Sequence, residues 1–313
     1  MPVRVTLPTS DYQHVLNEIT AEVQPLLSQG KVADYIPALA EVDANQFSIA
    51  IYTTDGQTFC AGECTQRFTI QSVSKVMTLT LALQRYGDEL WQRVGKEPSG
   101  TAFNSLTQLE FEKGVPRNPF INAGAIVTCD ALYSRLSAPM HSMLEAFRTL
   151  SGNKTIVIDK KVANSEYEFR HRNAAMGHLM KSFGNFHNEV DDVLWAYFNF
   201  CAIELNCVEL AKAYNFLANK GLCHLSDKRV LSSLQTKQLN SLLFTSGLYD
   251  AAGDFGYRVG MPGKSGVSGT ILAVLPGKFT VAVYSPGLNS YGNSVAGIAA
   301  LELLSKKLDI SIF

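Results

Sequence analysis

The feature that most constrains the fold is the uneven distribution of strand signals along the 313 residues. Near the start, QFSIAIY and QTFCAG flank Thr54-Asp55-Gly56 and predict a β-hairpin with an Asp-Gly turn. Near the end, GTILAVL and KFTVAVYS are joined by Pro276-Gly277 and predict a second pair of strands. From Ile70 to about Phe244 strand signals nearly vanish. Such a chain either builds two separate sheets or closes one sheet across a long insertion.

The segment between the two hairpins has the periodicity of helices. Apolar residues recur at spacings of three and four in MHSMLEAFRTL, RNAAMGHLMKSF, VDDVLWAYFNFCAI and VELAKAYNFLANKG, the last with Gly221 as its predicted C-cap. A helix is also predicted from Ser10 to about Gln29, disturbed by Pro25, and NSVAGIAALELLSKKL predicts a closing helix.

These elements predict an α/β (α+β) fold with two lobes. Both hairpins would form one antiparallel sheet flanked by the terminal helices, and the inserted segment would form an all-helical lobe. The predicted sheet lobe is discontinuous, comprising residues 1–65 and 255–313, and the helical lobe comprises residues 66–254. Active sites commonly lie where two lobes meet, so we expect the functional residues at this seam.

Composition excludes several classes of function. Lys and Arg number 27 and Asp and Glu 28, without dense blocks, which predicts neither a nucleic-acid nor a membrane partner. The N-terminus has no apolar signal region, and no run reaches the roughly 18 apolar residues of a membrane span, so we expect a cytoplasmic protein. No metal site or cofactor is predicted, because the cysteines lack zinc-ligand spacing and are expected to be free: Cys60, Cys64, Cys129, Cys201, Cys207 and Cys223.

The stretch QSVSK places Ser72 three residues before Lys75, at the start of an apolar helical run. One interpretation is an ordinary helix start, where serine is common. The other is catalytic, since residues at this spacing share a helix face, and burial and the positive helix terminus both lower a lysine pKa. Such a lysine can take the proton of an attacking serine hydroxyl, and the free Ser72 N–H can face an oxyanion.

A second motif, GKSG at residues 263–266, precedes a predicted strand. It is similar to the Lys-Thr-Gly element that accompanies Ser-x-x-Lys in penicillin-recognising enzymes. The alternative of a nucleotide-binding P-loop fails, because Arg258 stands where that loop needs glycine and because a helix would have to follow.

Taken together, the motifs resemble the serine-dependent glutaminases, which share a β-lactamase/transpeptidase-like fold. The blocks in order are KVADYIPALA, QSVSK, EPSGTAFNS, NPFINAGAI, SEYEFRHRNAAM, GLYDAAGDFGY, VGMPGKSGVSG and YSPGLNSYGNSVAG. They extend from about residue 31 to the C-terminus. The resemblance implies hydrolysis of the side-chain amide of L-glutamine to L-glutamate and ammonia through a seryl intermediate.

The resemblance also implies a role for each matching residue. Ser72 corresponds to the nucleophile, Lys75 to its base and Tyr249 to a tyrosine that relays a proton, while Lys264 would support the pocket electrostatically. Eight residues are implied to bind the substrate, and two of them, Ser72 and Tyr249, also have one of the catalytic roles. The eight are Tyr35, Ser72, Asn122, Glu166, Asn173, Tyr197, Tyr249 and Val267. Without the resemblance, Asn122 would be interpreted as a helix cap, Glu166 as a surface charge and Tyr197 as a core residue.

Three positions depart from the family pattern. Ala202 stands where serine is expected, and Ser268 and Thr270 stand where glycines are common. Ser268 follows Val267, whose backbone N–H would complete the oxyanion hole. We therefore expect these differences to affect the turnover rate and not the type of reaction. The family also implies a homo-oligomer, a dimer or a tetramer.

Two other hypotheses compete with this function. A β-lactamase or penicillin-binding protein would need an export signal and has no counterpart of SEYEFRHRN, and turnover of nitrocefin would support it. The second hypothesis is a catalytically inactive binding protein. The presence of a catalytically competent residue at every candidate position argues against it. An assay of ammonia release from glutamine distinguishes an active glutaminase from an inactive protein.

Overall fold

The computed structural model describes residues 10–100 and 105–313. Part of the EPSGTAFNS block, residues 101–104, and the first nine residues of the predicted sheet lobe lie outside this range. The helices of the described residues are α1 (Ser10–Glu22), α2 (Ser74–Tyr86), α3 (Leu106–Phe111), α4 (Asn122–Arg135), α5 (Pro139–Ser151), α6 (Lys160–Glu168), α7 (His171–Ser182), α8 (Val190–Cys201), α9 (Cys207–Ala213), α10 (Ser233–Ser246), α11 (Ala252–Val259) and α12 (Val295–Leu308).

The strands form one large antiparallel sheet and one short pair. They are β1 (Ser48–Thr53), β2 (Thr58–Gly62), β3 (Phe68–Thr69), β4 (Glu204–Leu205), β5 (Gly263–Gly266), β6 (Thr270–Leu275) and β7 (Phe279–Tyr284). The large sheet has the order β2-β1-β7-β6-β5, and β3 pairs with β4. In register, Ala50 of β1 lies opposite Cys60 of β2 and Ala282 of β7. The prediction that the two hairpins share one sheet is confirmed.

The three inner strands, β1, β6 and β7, are buried on both faces of the sheet, which explains why they are nearly continuous apolar runs. Alternate residues of β1 point to opposite faces. Ile49 and Ile51 pack in a core with α1, α11 and α12, whereas Ala50 and Tyr52 pack in a larger core with α2, α4, α8 and α9. The terminal helices together with α11 therefore cover one face, and α2, α4, α8 and α9 cover the other. The lobe bounds, 1–65 with 255–313 and 66–254, stay a prediction.

The helix predicted to end at Gly221 is shorter than expected. α9 ends at Ala213, and a 3-10 turn, Asn215–Leu217, follows. The Asn215 side chain donates to the Tyr52 carbonyl at 3.0 Å, and this link to β1 holds the chain outside the helical path. Gly221 still adopts the left-handed conformation, with φ of +85°.

The prediction of six free cysteines is wrong for two of them. Cys60 and Cys64 form a disulfide with a Cα–Cα distance of 6.0 Å. Gly62, with φ of +76°, turns the chain after β2 and returns Cys64 toward Cys60, a proximity that the sequence spacing did not reveal. The other four are free and buried: Cys129, Cys201, Cys207 and Cys223.

Candidate active site

A cavity of about 380 Å³ lies at the junction of the inserted helices with the end of β5. Residues from distant parts of the chain line it, among them every residue that the family resemblance implied for substrate binding: Tyr35, Ser72, Asn122, Glu166, Asn173, Tyr197, Tyr249 and Val267. Lys75 and Lys264 are not in the lining but are fully buried nearby. The structure thus brings together residues that are 232 positions apart, from 35 to 267.

Ser72 lies on a short turn that is held against β5. The turn is a 3-10 helix, Gln71–Val73, that runs directly into α2, so Ser72 precedes the α-helix that was predicted to contain it. A Cβ on Gly266 would approach Ile70 O at 2.8 Å and Ser72 N at 3.4 Å. Only glycine permits this close approach, and the next residue, Val267, lines the cavity together with Ser72. The backbone N–H groups of Ser72 and Val267 lie at the ends of secondary-structure elements. At such positions the N–H has no partner within the helix or strand.

Lys75 is an almost completely buried cation, at 1% exposure. Its Nζ donates to Phe120 O at 3.1 Å and to Asn122 Oδ1 at 2.7 Å. Burial lowers the pKa of Lys75 to about 8, although Cys201 and Glu166 act to raise it. Asn122 in turn donates through Nδ2 to Asn173 Oδ1 at 3.2 Å. Asn122 therefore links the buried amine to the part of the cavity that Asn173 lines.

Glu166, at the last turn of α6, is buried and held by one side chain. Gln71 Nε2 donates to Glu166 Oε1 at 2.9 Å. Burial raises the pKa of Glu166 to about 8, whereas the Gln71 hydrogen bond and the Lys75 charge act to lower it. Glu166 therefore contributes a buried carboxyl group to the cavity wall.

Tyr249 stands between the nucleophile candidate and β5. Tyr249 lines the cavity together with Ser72, and Lys264 Nζ lies 4.5 Å from the centre of its ring. Burial raises the pKa of Tyr249 to about 12, and the Ser72 and Ser265 hydroxyls act to lower it. Lys264 donates to Gly247 O at 3.0 Å and to Ser265 O at 2.7 Å, and burial, followed by the Lys75 charge, lowers its pKa well below the ordinary value.

Two further tyrosines complete the cavity wall. Tyr197 on α8 is 4% exposed, and burial raises its pKa. Tyr35 is 57% exposed as a whole, yet its pKa is also raised, first by burial and then by Tyr249 and Glu166. The two observations agree if the ring faces solvent while the hydroxyl faces the cavity. Both phenols are therefore neutral hydrogen-bonding groups.

The sequence reasoning missed Gln71 and Cys201, which also line the cavity. Gln71 is 2% exposed and has φ of +48°, a left-handed conformation that glutamine rarely adopts. Cys201 accepts a weak hydrogen bond from Ser74 Oγ at 3.7 Å. Gln71 precedes Ser72, so its position in QSVSK was the one available signal, but its contact with Glu166 crosses 95 residues.

The departures from the family pattern are accommodated locally. Ser268 and Thr270 are buried, and their hydroxyls share a hydrogen bond of 3.0 Å at the turn between β5 and β6. Ala202 is fully buried in a small core that also contains Val162 and Val267. The Ser268 and Thr270 hydroxyls therefore satisfy each other, and Ala202 packs in the core. None of the three residues is part of the cavity lining.

The described residues contain neither a cluster suited to a metal ion nor a helix suited to a membrane. Within residues 10–100 and 105–313, no group of three or more His, Cys, Asp or Glu side chains could hold a metal ion. In the same ranges, no helix combines the length and apolar character that crossing a membrane requires.

Comparison with known proteins identifies relatives over nearly the whole chain. The family model described as Glutaminase matches residues 30–313. A glutaminase of Pseudoalteromonas translucida (strain TAC 125) is 89% identical over 307 residues, covering 98% of this chain and 100% of that protein. A glutaminase of Pseudomonas fluorescens (strain Pf0-1) is 58% identical over 301 residues, covering 96% and 100% respectively.

Solved structures agree with this comparison. The structure described as probable glutaminase ybaS superposes with a TM-score of 0.91 at 34% identity, covering 98% of this chain and 99% of that one. The protein Mglu in its tris and glutamate form superposes with a TM-score of 0.90 at 32% identity, covering 98% of this chain and 68% of that one. The fold is therefore the β-lactamase-like fold that these structures have, as predicted.

Proposed function

Because the chain belongs to the glutaminase family, we propose that Ser72 is the nucleophile of its amide hydrolysis and Lys75 the principal base. The protein is a glutaminase, an amidohydrolase that acts on L-glutamine and releases L-glutamate and ammonia. The proposal concerns which residues perform this reaction. The observation that carries it is the convergence of the implied residues on one cavity, with the buried Lys75 bonded to Asn122 of the cavity lining.

The head of the substrate is recognised by groups of matching charge. Glutamine carries an ammonium and a carboxylate at one end and a neutral amide at the other. Glu166 is the carboxylate of the cavity lining and binds the ammonium, because an ionised partner offsets the cost of its burial. Asn173, Tyr197 and Tyr35 are neutral donors for the substrate carboxylate. This arrangement directs the side-chain amide toward Ser72.

The first chemical step forms a tetrahedral intermediate, which later gives the seryl ester. The neutral Lys75 amine has two hydrogens, which it donates to Phe120 O and Asn122 Oδ1, so its lone pair remains to take the Ser72 proton. Ser72 Oγ then bonds to the amide carbon, and the carbonyl oxygen becomes an oxyanion. The N–H groups of Ser72 and Val267 stabilise it, a contribution of about 10²–10³ in turnover for a single donor.

The tetrahedral intermediate collapses when the leaving nitrogen receives a proton. Lys75 returns the proton, with Tyr249 as the relay beside Ser72, and the C–N bond breaks to release ammonia. A water molecule then attacks the glutamyl ester, Lys75 takes its proton, and Ser72 regains it as L-glutamate leaves. Lys264 supports the pocket electrostatically, because its Nζ lies 4.5 Å from the Tyr249 ring centre and donates to Gly247 O and Ser265 O.

Substitution and labelling test the assignment. Ser72→Ala and Lys75→Ala are each expected to lose roughly 10⁴-fold or more in kcat, and the double variant scarcely more, because the residues act as a unit. Ser74→Ala is the matched control and should stay within about tenfold, because Ser74 contacts Cys201 instead of lining the cavity. A diazoketone analogue of glutamine should label Ser72. An adduct on Ser74, or labelling that survives Ser72→Ala, would overturn the assignment.

We also propose a cytoplasmic homo-oligomer, either a dimer or a tetramer. Four of the six cysteines are free and buried, as is typical of a reducing compartment, whereas the Cys60–Cys64 disulfide is typical of an oxidising one, so the compartment is proposed from the family resemblance. Large exposed apolar side chains, Tyr257 at 92% and Phe313 at 85%, are available for contacts between copies. Cell fractionation and light scattering on the purified protein test the two statements. Recovery outside the cytoplasm, or a monomeric mass at micromolar concentration, would contradict them.

A further inference from the structure

A buried asparagine lies one peptide unit away from Lys75. Asn118 is 0% exposed and belongs to the segment that leads into α4. Its Oδ1 accepts from Phe120 N at 3.0 Å and from Ile121 N at 3.1 Å, and its Nδ2 donates to Glu97 O at 2.9 Å. Asn118 does not line the substrate cavity. Its side chain therefore acts on the main chain around it and not on the substrate.

The peptide unit between Phe120 and Ile121 connects Asn118 to Lys75. Its N–H group, on Ile121, donates to Asn118 Oδ1, and its carbonyl group, on Phe120, accepts from Lys75 Nζ at 3.1 Å. The unit is planar and trans, so its N–H and its C=O point in opposite directions. Rotation of this one plane would break both hydrogen bonds together. A hydrogen-bonded N–H also polarises the carbonyl and makes it a better acceptor for Lys75.

The main chain of Asn118 is itself fixed on two sides. A Cβ on Gly124 of α4 would lie 1.9 Å from Asn118 O, so the first turn of α4 packs directly on this carbonyl. Glu97 N donates to Arg117 O at 2.9 Å, and the Asn118 side chain extends this pairing through Glu97 O. Asn118 is therefore a rigid anchor for the peptide plane that faces Lys75.

Lys75 depends on this plane for one of its two acceptors. Within residues 10–100 and 105–313, its Nζ has hydrogen bonds only to Phe120 O and to Asn122 Oδ1. A neutral amine has two hydrogens and one lone pair, so two fixed acceptors determine where the lone pair points. If the Phe120 carbonyl turned away, one hydrogen would lose its acceptor and the amine would be free to rotate.

We propose that Asn118 is a positioning residue that holds the Phe120 carbonyl against Lys75 and so fixes the direction in which Lys75 accepts a proton. The inference rests on the proposed function, in which Lys75 is the base. Loss of Asn118 should slow the chemical step and leave recognition of the substrate head nearly unchanged. The same carbonyl also accepts from the ammonium form of Lys75, so its withdrawal makes that form less stable.

Steady-state kinetics of the full-length protein with L-glutamine, between about pH 6 and pH 10, test this proposal. Asn118→Ala should lose at least about tenfold in kcat, with KM changed less than about threefold. The rise of kcat/KM with pH should move to lower pH by about half a unit or more, because the pKa of Lys75 falls when its ammonium loses an acceptor. The charged and titratable groups that act on Lys75 are retained: Glu166 of α6, Cys201 of α8 and Lys264 of β5.

Asn118→Ser isolates the acceptor oxygen from the rest of the side chain. Both Asn118→Ala and Asn118→Ser lose the bond to Glu97 O, but a serine hydroxyl can still accept from the N–H two residues further along the chain. Asn118→Ser should therefore be faster than Asn118→Ala, and its kcat/KM should rise at a pH closer to that of the wild type.

Asn185→Ala is the matched control. Asn185 also makes three hydrogen bonds between segments: its Nδ2 donates to Arg93 O and to Gly114 O, each at 2.8 Å, and its Oδ1 accepts from Arg93 Nε at 3.3 Å. Neither Asn185 nor these partners line the cavity. The variant should lower the thermal unfolding temperature and change neither kcat nor the pH at which kcat/KM rises.

The outcomes separate this inference from the proposed function. If Lys75→Ala keeps the wild-type kcat, the assignment of the base fails. If Lys75→Ala is inactive but folded Asn118→Ala has the wild-type kcat, this inference alone fails. It also fails if Asn118→Ala is slower by the same factor at every pH, as general loosening would produce. Should Asn118→Ala not fold, Asn118→Ser decides: a lower kcat with the rise moved to lower pH supports the inference, and any other combination overturns it.

Discussion

Replacement of Glu166 by glutamine separates stability from function at one buried site. Glu166 is 8% exposed, and burial raises its pKa from 4.5 to about 8. Between these two pH values the folded protein binds the proton more tightly than the unfolded chain does, so stability falls as pH rises. The difference corresponds to roughly 4 to 5 kcal/mol at full ionisation, at about 1.36 kcal/mol per pH unit.

Glu166→Gln removes this ionisation and keeps an oxygen that can accept from Gln71 Nε2. The variant should therefore be more stable than the wild type by about 2–5 kcal/mol above pH 8 and nearly equal to it below pH 4.5. The opposite holds for catalysis, because the substrate ammonium loses its ionised partner. A loss of about 2–5 kcal/mol in transition-state binding lowers kcat/KM by roughly 30- to 5,000-fold.

Urea unfolding across pH 4 to 9 and ammonia release from L-glutamine measure the two effects. Glu168→Gln is the control: it lies two positions further along α6, is exposed, and should change neither quantity. An unchanged kcat/KM for Glu166→Gln would refute the ammonium-binding role. A pH dependence of stability identical to that of the wild type would refute the raised pKa.

Three further changes test other parts of the structure. Because burial lowers the pKa of Lys75 to about 8 and the base must be neutral, kcat/KM should rise as pH increases through about 8, and a rate independent of pH from 6 to 9 would contradict this. Gly266→Ala places a Cβ 2.8 Å from Ile70 O and should lower kcat about 10²-fold by disturbing the oxyanion site, whereas Gly253→Ala, which meets nothing within 4 Å, should leave kcat unchanged. Thiol titration of the denatured, unreduced protein should find four free cysteines and, after reduction, six, while six thiols at the outset would disprove the Cys60–Cys64 disulfide.

The sequence alone was sufficient for the fold class and for the candidate residues. The hairpin signals at both ends and the helical periodicity between them are local properties of the sequence. A strand that is buried on both faces is a continuous apolar run, and a helix that is buried on one face has apolar residues at spacings of three and four. The order of the motif blocks identified the family. QSVSK already indicated a buried lysine at a helix start, and Lys75 is indeed 1% exposed.

The tertiary structure decided how those residues meet. Three features of the site depend on segments that are distant in sequence. They are the left-handed turn at Gln71, the approach of Gly266 to Ser72 and the link from Asn293 to Ser265. The Cys60–Cys64 disulfide depends likewise on a turn after β2. Periodicity records only which side of an element is buried. The direction of a hydrogen bond and the pKa of a buried group depend on atoms contributed by other elements, which only the packed fold brings within reach.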